Sequence, residues 1–530
     1  MKIKKSLMLP ALLLTILMLL SACTGAAPQS QADAGQTNAG GSTEKIRVEL
    51  MEHGWVDAPL PDGDADVYKK WVDETYNFDF VVNSSFAFEE QITVRFASGS
   101  PPDIVAFRND LNLMRKLYDQ GLLLEDFTPY LDKVPTIVKH NLTEEARLPL
   151  TVNGKLIALC NSPRSQAWAL QIRKDWLEEI GKDMPKTTEE LLEVCRLFKE
   201  KQLYESGVDN TISITSSDTP LGVTGWSFGY NFDAYTTMFG PEDWYITDDG
   251  KLSHAIVAGY KKDMLDFVKT CIDEGHADPD WATQEWSGKQ AKFWRGQVGV
   301  IWYPFEAIIN ETVASDVAPK EPLDMWAQFD VPPKGGNAGG MYQNQIDEAF
   351  YYTVPKTLEN DSDKLGRILE FIDSVTYPNE NYWTLRYGVG IDEVQMKDLE
   401  NGSKYVWMDA EAVGQTTHLN ISVDNYGTWL ATNDLVINGS TEEPDARALG
   451  IAEAMKKRTE APAYPLLKNL FVLDAKDFDA TNKVWSEFYV NYLLGKDTDY
   501  DAFVEQWLNA GGQNMIDSAG EQLKKMGVLK

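Results

Sequence analysis

The fold of this chain is decided by residues 153–194, NGKLIALCNSPRSQAWALQIRKDWLEEIGKDMPKTTEELLEV. A turn at Gly154 followed by the apolar Leu156 and Leu159 predicts a small β-unit. An irregular crossing follows, and residues 169–173 are predicted to form the next strand. Two helical patterns come after it. Nearer the N-terminus, residues 46–50, 67–76 and 78–82 have the pattern of strand, helix and strand, and this alternation predicts parallel pairing and an α/β lobe.

The two helices of this stretch have defined end signals. The first carries Trp176 and Ile180 on one apolar face, and Gly181 stands where a glycine commonly ends a helix. The second is predicted to begin after the N-cap Thr187, and Glu190 three residues later completes a capping box. These local signals predict where both helices lie.

The stretch also resembles a known family. Its NGK followed by apolar residues, and then IRKDWLEE, a glycine and MPKTTEEL, is similar to the segment that crosses between the two lobes of extracellular solute-binding proteins of ABC importers. The runs FASGSPPDI (96–104), GLLLED (121–126) and FWRGQVG (293–299) are similar to further segments of these proteins. The nearest branch is the large lipoprotein type that resembles maltose-binding protein. Taken alone, residues 153–194 would also fit a strand–helix–helix piece of an α/β enzyme.

The resemblance implies a fold and a division of the chain. The expected fold is α/β and two-lobed, like that of periplasmic binding proteins, with a hinge and a ligand cleft between the lobes. A chain of 530 residues is also too long for one ordinary core. The predicted parts are a lipoprotein signal peptide at residues 1–22, a flexible tether at 23–44, a first α/β lobe at 45–166 and 330–405, and a second, helix-rich α/β lobe at 167–329 and 406–530.

The first residues have the features of a lipoprotein signal. Three lysines precede an apolar run at residues 7–20, which is short for a membrane span. The following LSAC resembles the bacterial lipobox, which implies that Cys23 carries lipid such as palmitate and anchors the protein to the extracellular face of the cell membrane. A plain signal peptide with an incidental Cys23 is the alternative. Residues 24–43 are rich in Ala, Gly, Gln, Ser and Thr, which predicts a flexible tether.

The charge and the cysteines narrow the class of protein. Removal of residues 1–22 takes away three lysines and no acidic residue, so the formal net charge falls from −32 for the whole chain to −35. This charge argues against nucleic-acid binding, and it disfavours a polyanionic ligand unless the cleft is locally basic.

Past Cys23 only Cys160, Cys195 and Cys271 remain, and their wide spacing predicts buried free thiols.

Enzyme motifs are sparse. GWSFG at residues 225–229 fits the G-x-S-x-G pattern in which Ser227 would be the nucleophile of a hydrolase, but neither a preceding strand nor a following helix is predicted. A glycosidase needs two carboxylates at a defined separation, and 81 acidic residues make sequence pairs uninformative. The five histidines lack metal-ligand spacing, residues 205–210 lack the oxygen ligands of a calcium loop, and no nucleotide-binding glycine motif occurs. We therefore predict no enzymatic activity, metal or cofactor.

Aromatic and polar residues in predicted loops are the candidates for ligand binding. Residues 46–50 predict the first strand and residues 52–55 a loop after it, and the resemblance implies that this strand ends at the cleft. Open α/β sheets bind ligands beyond the carboxyl ends of strands, which for the strand predicted to start at residues 102–105 means residues 107–110. Sugar rings stack on aromatic faces, and their hydroxyls hydrogen-bond to amide, carboxylate and guanidinium groups, although any single tryptophan could equally be core. The aromatic candidates are Trp55, Trp168, Trp226, Tyr230, Trp302 and Tyr303, and the polar candidates are Arg108, Asn109, Arg164, Gln166, Asn231, Glu306 and Gln343. The resemblance of residues 293–303 implies that Trp302, Tyr303 and Glu306 lie at an exposed strand tip.

These observations predict an extracellular solute-binding protein that captures a carbohydrate, expected to be an oligosaccharide, and delivers it to the permease subunits of an ABC transporter. Such a protein is expected to be a monomer and to perform no chemistry on its solute. Two alternatives stay open, namely a secreted carbohydrate-active hydrolase and a surface glycan-binding protein without a transporter. A peptide or another polar solute is also compatible with the sequence.

Overall fold

A computed structural model describes the chain at residues 44–53, 66–85, 87–108, 111–160, 165–166, 168–204, 209–215, 232–241, 243–284, 286–304, 325–328, 344–346, 350–376, 378–385, 395–398, 404–408, 435–438, 463–464 and 467–529. No helix within these ranges is both long and apolar enough to cross a membrane.

The described strands are β1 (Ile46–His53), β2 (Phe78–Ser85), β3 (Ile104–Arg108), β4 (Thr151–Val152), β5 (Lys155–Leu156), β6 (Leu159–Cys160), β7 (Ser165–Gln166), β8 (Trp168–Arg173), β9 (Ile212–Ile214), β10 (Trp244–Ile246), β11 (Leu252–His254), β12 (Val298–Pro304), β13 (Trp326–Gln328), β14 (Asn344–Ile346), β15 (Phe350–Thr353), β16 (Gln395–Asp398), β17 (Lys404–Met408), β18 (Leu435–Asn438) and β19 (Ala463–Tyr464).

The described α-helices are α1 (Val67–Tyr76), α2 (Phe88–Ala97), α3 (Leu111–Asp119), α4 (Pro135–His140), α5 (Glu144–Arg147), α6 (Lys174–Ile180), α7 (Thr188–Lys201), α8 (Ala255–Ala258), α9 (Tyr260–Asp273), α10 (Trp286–Trp294), α11 (Ser362–Ser374), α12 (Glu380–Trp383), α13 (Ala475–Leu493), α14 (Tyr500–Trp507) and α15 (Gln513–Lys525).

Two sheets form the framework of the fold. The first has the order β2-β1-β3-β15-β6, in which β1 pairs in parallel with β2 and β3, and β15 runs antiparallel to β3 and β6. The second has the order β13-β8-β12-β9, in which β8 is antiparallel to β13 and β12, and β12 is parallel to β9. The parallel pairing that strand–helix–strand alternation predicts is therefore confirmed for β1, β2 and β3.

Each sheet contributes to its own hydrophobic core. The first core unites buried residues between Val48 and Cys160 with residues between Tyr351 and Leu385. The second core unites buried residues between Leu170 and Trp302 with residues between Phe488 and Met515. Each core thus combines separate segments of the sequence, so the chain passes between the cores more than once.

These passages meet in a small three-stranded sheet of the order β19-β14-β7. β7 lies in the sequence between the first core and the second, β14 lies between the second core and the first, and β19 lies between Leu385 of the first core and Phe488 of the second. Gln345 of β14 pairs with Gln166 of β7, and Asn344 pairs with Ala463 of β19. Three crossings of the chain are therefore hydrogen-bonded side by side. The lobe boundaries given above stay a prediction.

The local signals of the central stretch are largely confirmed. Gly154 joins β4 to β5 with a φ of +80°, and Gly181 ends α6 in the left-handed conformation with a φ of +66°. Thr187 caps α7, since its hydroxyl accepts a hydrogen bond from the backbone N–H of Glu190 at 3.1 Å. The other half of the predicted capping box is wrong, because the Glu190 carboxylate accepts from the backbone N–H of Lys186, one residue before the cap, at 2.6 Å.

The three cysteines beyond Cys23 are free and buried, as predicted. Burial raises the pKa of the Cys160 thiol and that of the Cys195 thiol to about 12. Burial likewise raises the pKa of the Cys271 thiol well above its usual range. Since the thiolate is the reactive form, all three behave as small apolar core residues at neutral pH.

Gly299 of β12 lies where the second sheet packs tightly against α6 and α7. A Cβ added there would lie 2.6 Å from Cδ2 of Phe198 and 3.1 Å from Cζ3 of Trp176. Both rings are buried and packed edge to face at 5.2 Å, so neither can move aside easily. We expect Gly299→Ala to lower the free energy of unfolding by about 1–3 kcal/mol, measured by urea denaturation.

Gly366 of α11 provides the matched control, because a Cβ added there would contact nothing within 4 Å. We expect Gly366→Ala to raise stability by roughly 0.5–1 kcal/mol, since alanine is the better helix former. A Gly299→Ala protein as stable as the wild type would contradict the tight packing of β12 against α6 and α7.

Candidate functional site

The topology of the first sheet defines a place for a ligand. From β1 the chain passes through α1 to β2 on one side, whereas after β3 it continues to strands on the other side, ending at β6. The carboxyl ends of β1 and β3 therefore flank a topological switch point, and open α/β sheets bind ligands in the crevice at such a point. Arg108, one of the candidate ligand residues, is the last residue of β3.

Two residues at this switch point were not selected from the sequence. Glu52 and His53 are the last two residues of β1, paired with Ser84 and Ser85 of β2. Successive residues of a strand point to opposite faces, and Glu52 is fully buried while His53 is partly exposed. The sequence prediction ended β1 at Leu50 and was wrong there, because pairing with β2 continues beyond the apolar alternation.

The His53 ring lies on a support of aromatic residues. It stacks on Phe88, the first residue of α2, with ring centroids 5.8 Å apart and an interplanar angle of 14°. Phe88 is fully buried and meets Phe107 of β3 edge to face at 5.5 Å. The start of α2 is also held to the end of β2. The hydroxyl of Ser85, the last residue of β2, accepts hydrogen bonds from the Ala87 N–H at 3.1 Å and the Gln91 amide at 3.0 Å.

The second sheet contributes an edge next to the three crossings. β8 begins and β12 ends at this edge, with Trp168 paired to Pro304 and Ala169 paired to Tyr303. Gln166 of β7 precedes β8 by one residue. The backbone of Gln166 and Trp168 thus lies beside the end of β12 that carries Tyr303. This placement is expected for a segment that crosses between two lobes.

The expectation that Trp302 and Tyr303 form an exposed strand tip is wrong. Trp302 is 6% exposed and belongs to the second core, on the face that also carries Leu170. Tyr303 is 1% exposed on the opposite face, where α10 covers it. Gln290 donates a hydrogen bond to the Tyr303 hydroxyl at 3.1 Å, and the Lys289 ammonium lies 5.4 Å from the ring centroid. Helix coverage, which no local pattern reveals, accounts for the difference.

A buried polar cluster fixes the end of β9. Asp278, fully buried, accepts hydrogen bonds from the Thr215 hydroxyl at 2.8 Å and the Gln284 amide at 2.9 Å. Its other oxygen pairs with the Lys292 ammonium at 2.6 Å, and Lys292 also contacts the exposed Asp280 at 2.7 Å. The carboxylate thus joins β9, the turn before α10 and α10 itself.

Several of the predicted ligand residues lie outside the described residues. They are Trp55, Asn109, Arg164, Trp226, Tyr230, Asn231, Glu306 and Gln343. Cys23 and Ser227 lie outside them as well. The role in ligand binding of every candidate residue stays a prediction.

The described histidines that follow Ser227 in sequence have structural contacts. Nδ1 of His254 accepts the N–H of Ile256 at 3.2 Å and so caps α8, and the ring stacks on Trp507. Nε2 of His276 lies 2.9 Å from the Glu274 carboxylate. Within the described residues, no group of three His, Cys, Asp or Glu side chains is placed to hold a metal ion.

Comparison with known proteins identifies the class. The family described as bacterial extracellular solute-binding protein matches residues 57–378, and the chain belongs to this family. A structure titled HMO binding ABC-transporter associated solute binding protein, from Bifidobacterium longum infantis ATCC 15697, matches with a TM-score of 0.64 and 16% identity over 92% of this chain and 100% of that chain. The predicted two-lobed α/β fold is thereby confirmed.

Two relatives match most of the chain. The polygalacturonan/rhamnogalacturonan-binding protein YtcQ of Bacillus subtilis strain 168 is 23% identical over 453 residues, which cover 82% of this chain and 83% of YtcQ. Lipoprotein LipO of the same organism is 22% identical over 464 residues, which cover 84% of this chain and 86% of LipO.

Proposed function

We propose that this protein captures an oligosaccharide in the cleft between its lobes and delivers it to an ABC permease without altering it. The observation that carries the proposal is the three-stranded sheet of β7, β14 and β19, through which three crossings connect the two cores. Closure of two bodies about a few connecting segments is a common way to enclose a ligand. Solute that touches both lobes would stabilise the closed state.

The carbohydrate class is supported by the relatives. YtcQ is named for binding polygalacturonan and rhamnogalacturonan, and the matching Bifidobacterium structure for binding HMO and association with an ABC transporter. The described histidines downstream of Ser227 are engaged in a helix cap and a hydrogen bond to Glu274, which favours binding over hydrolysis. A hydrolase remains one of the outcomes that the experiment below separates.

The proposed location is the outer face of the cell membrane. One relative is itself named a lipoprotein, and the LSAC sequence that ends at Cys23 fits a lipid attachment site. Several acyl chains hold a protein at a bilayer without a membrane-spanning helix. The tether at residues 24–43 would let the anchored protein reach a permease in the same membrane.

A thermal-shift screen tests the proposed function. The mature chain, started at Thr24 so that it carries no lipid, is heated with oligogalacturonides, rhamnogalacturonan fragments, milk oligosaccharides and kestose. A solute at about a hundredfold its dissociation constant should add roughly 2.7 kcal/mol of stability and raise the midpoint visibly. Monosaccharides and a peptide mixture serve as control solutes.

The sugar is recovered after long incubation and analysed. A midpoint shift with intact sugar is the expected result. A shift accompanied by cleavage would replace the proposal with a hydrolase, and a shift with the peptide mixture alone would replace the carbohydrate by a peptide.

A further inference from the structure

We propose that His53 contacts the bound solute directly and supplies a flat platform for a sugar ring at the wall of the first lobe. This inference rests on the proposed function and adds to it a specific residue. The position comes from topology, because His53 ends β1 at the switch point between β1 and β3. His53 is partly exposed, whereas its strand neighbour Glu52 is fully buried.

The support behind the ring argues for a binding role. Phe88 holds the imidazole in a near-parallel stack, and Phe107 in turn holds Phe88 edge to face. Both phenylalanines are fully buried, so the orientation of the His53 ring is fixed by packed core residues. A ring that is held in place beforehand loses little conformational freedom when a ligand stacks on it.

The chemistry of imidazole matches a pyranose or furanose ring. Its face can pack against the apolar C–H groups of a sugar, and its ring nitrogens can donate to or accept from hydroxyl groups. The neighbouring strand end adds the Ser85 hydroxyl, which already accepts two hydrogen bonds from the start of α2. His53 is therefore the described side chain of the switch point that best combines partial exposure, a fixed orientation and both kinds of contact.

Binding measurements on His53 variants test the inference. The probe is whichever oligosaccharide of the thermal-shift panel binds the wild type most tightly, and its dissociation constant is measured by calorimetry. We expect His53→Ala to raise that constant about tenfold, which corresponds to about 1.4 kcal/mol. His53→Phe keeps a flat ring on Phe88 and is expected to retain more affinity than His53→Ala. His140 is an exposed histidine of the same lobe, on α4. The control is therefore His140→Ala, which should bind the sugar like the wild type.

A spectroscopic readout separates contact from a structural effect. The chain has five histidines, and the His53 ring-proton signal is assigned by its loss in His53→Phe. In the wild type this signal should shift during titration with the sugar, while the His140 signal should stay in place. If His53 acts by contact with the sugar, the melting midpoint of the sugar-free His53→Phe protein should lie near that of the wild type.

The outcomes are distinct for the two proposals. If the wild type binds a sugar and both His53 variants bind it equally well with no signal shift, the platform role is overturned and the proposed function stands. If no sugar of the panel binds the wild type, the proposed function fails and this inference fails with it.

Discussion

Replacement of Asp278 by alanine is expected to lower the free energy of unfolding by about 3–5 kcal/mol, which is the usual effect of removing one partner from a buried ion pair. The Asp278 side chain is 0% exposed and that of Lys292 13%. In the wild type the Asp278 carboxylate accepts hydrogen bonds from the Thr215 hydroxyl at 2.8 Å and from the Gln284 amide at 2.9 Å. Both donors lose this acceptor in Asp278→Ala. Desolvated donors that lose their acceptor add to the loss.

Asp280 offers a matched control two residues away. It contacts the same Lys292 ammonium, but its side chain is 63% exposed, and exposed pairs contribute only about 0–1 kcal/mol. Asp280→Ala should therefore hardly move the urea midpoint, while Asp278→Asn, which keeps an acceptor for Thr215, should fall between the two alanine variants. Equal destabilisation by Asp278→Ala and Asp280→Ala would show that the buried cluster does not hold β9 and α10 together.

The second large effect is a loss of stability in acid that depends on His254. Burial lowers the pKa of His254 from 6.5 to about 4 in the folded protein. The unfolded chain therefore binds more protons than the folded one between these values, so stability decreases as the pH falls through this window. One pKa unit corresponds to 1.36 kcal/mol, which gives a loss on the order of 3 kcal/mol from pH 6.5 to about 4.

The structure explains why the folded state resists protonation of this ring. Nδ1 must stay unprotonated to accept the N–H of Ile256, and the Lys261 ammonium lies in the same buried cluster, 3.5 Å from Asp243. Burial alone would raise the pKa of Asp243, but Lys261 and His254 bring it below its usual value. Protonation of Asp243 would thus remove further stability below pH 3.8.

His254→Asn tests this contribution, because asparagine is a good N-cap and does not titrate. Stability is measured by urea unfolding at intervals from pH 7 to pH 4. The difference between wild type and His254→Asn should shrink as the pH falls, whereas His140→Asn should follow the wild type throughout. Parallel curves for wild type and His254→Asn would contradict the lowered pKa.

Local structure was predictable wherever the signal lies within a few residues. Gly181 and Thr187 mark the end of α6 and the start of α7, because a left-handed glycine and a side-chain cap act over one turn of helix. Both ends of α1 (Val67–Tyr76) agree with the helix that the apolar spacing of residues 67–76 predicts. The two-lobed fold followed from the resemblance of the crossing segment.

The candidate site was less predictable, since it depends on contacts between distant segments. Glu52 and His53 remain in β1 because β2 continues to pair with them, and the polar character of both residues suggested a loop. Tyr303 is buried because α10 lies over the strand, and neither the spacing nor the composition around Tyr303 reports that coverage. No local signal identifies His53, because the pairing of Glu52 and His53 with Ser84 and Ser85 joins distant segments of the chain.

The central claim is that a carbohydrate closes the two lobes on each other. Small-angle X-ray scattering on the mature chain, with and without a saturating concentration of the oligosaccharide that gives the largest thermal shift, measures this closure directly. We expect the radius of gyration to fall when the sugar is bound and to stay constant with a sugar that gives no thermal shift. A sugar that binds, is recovered intact and leaves the radius of gyration unchanged would contradict capture by closure of the cleft.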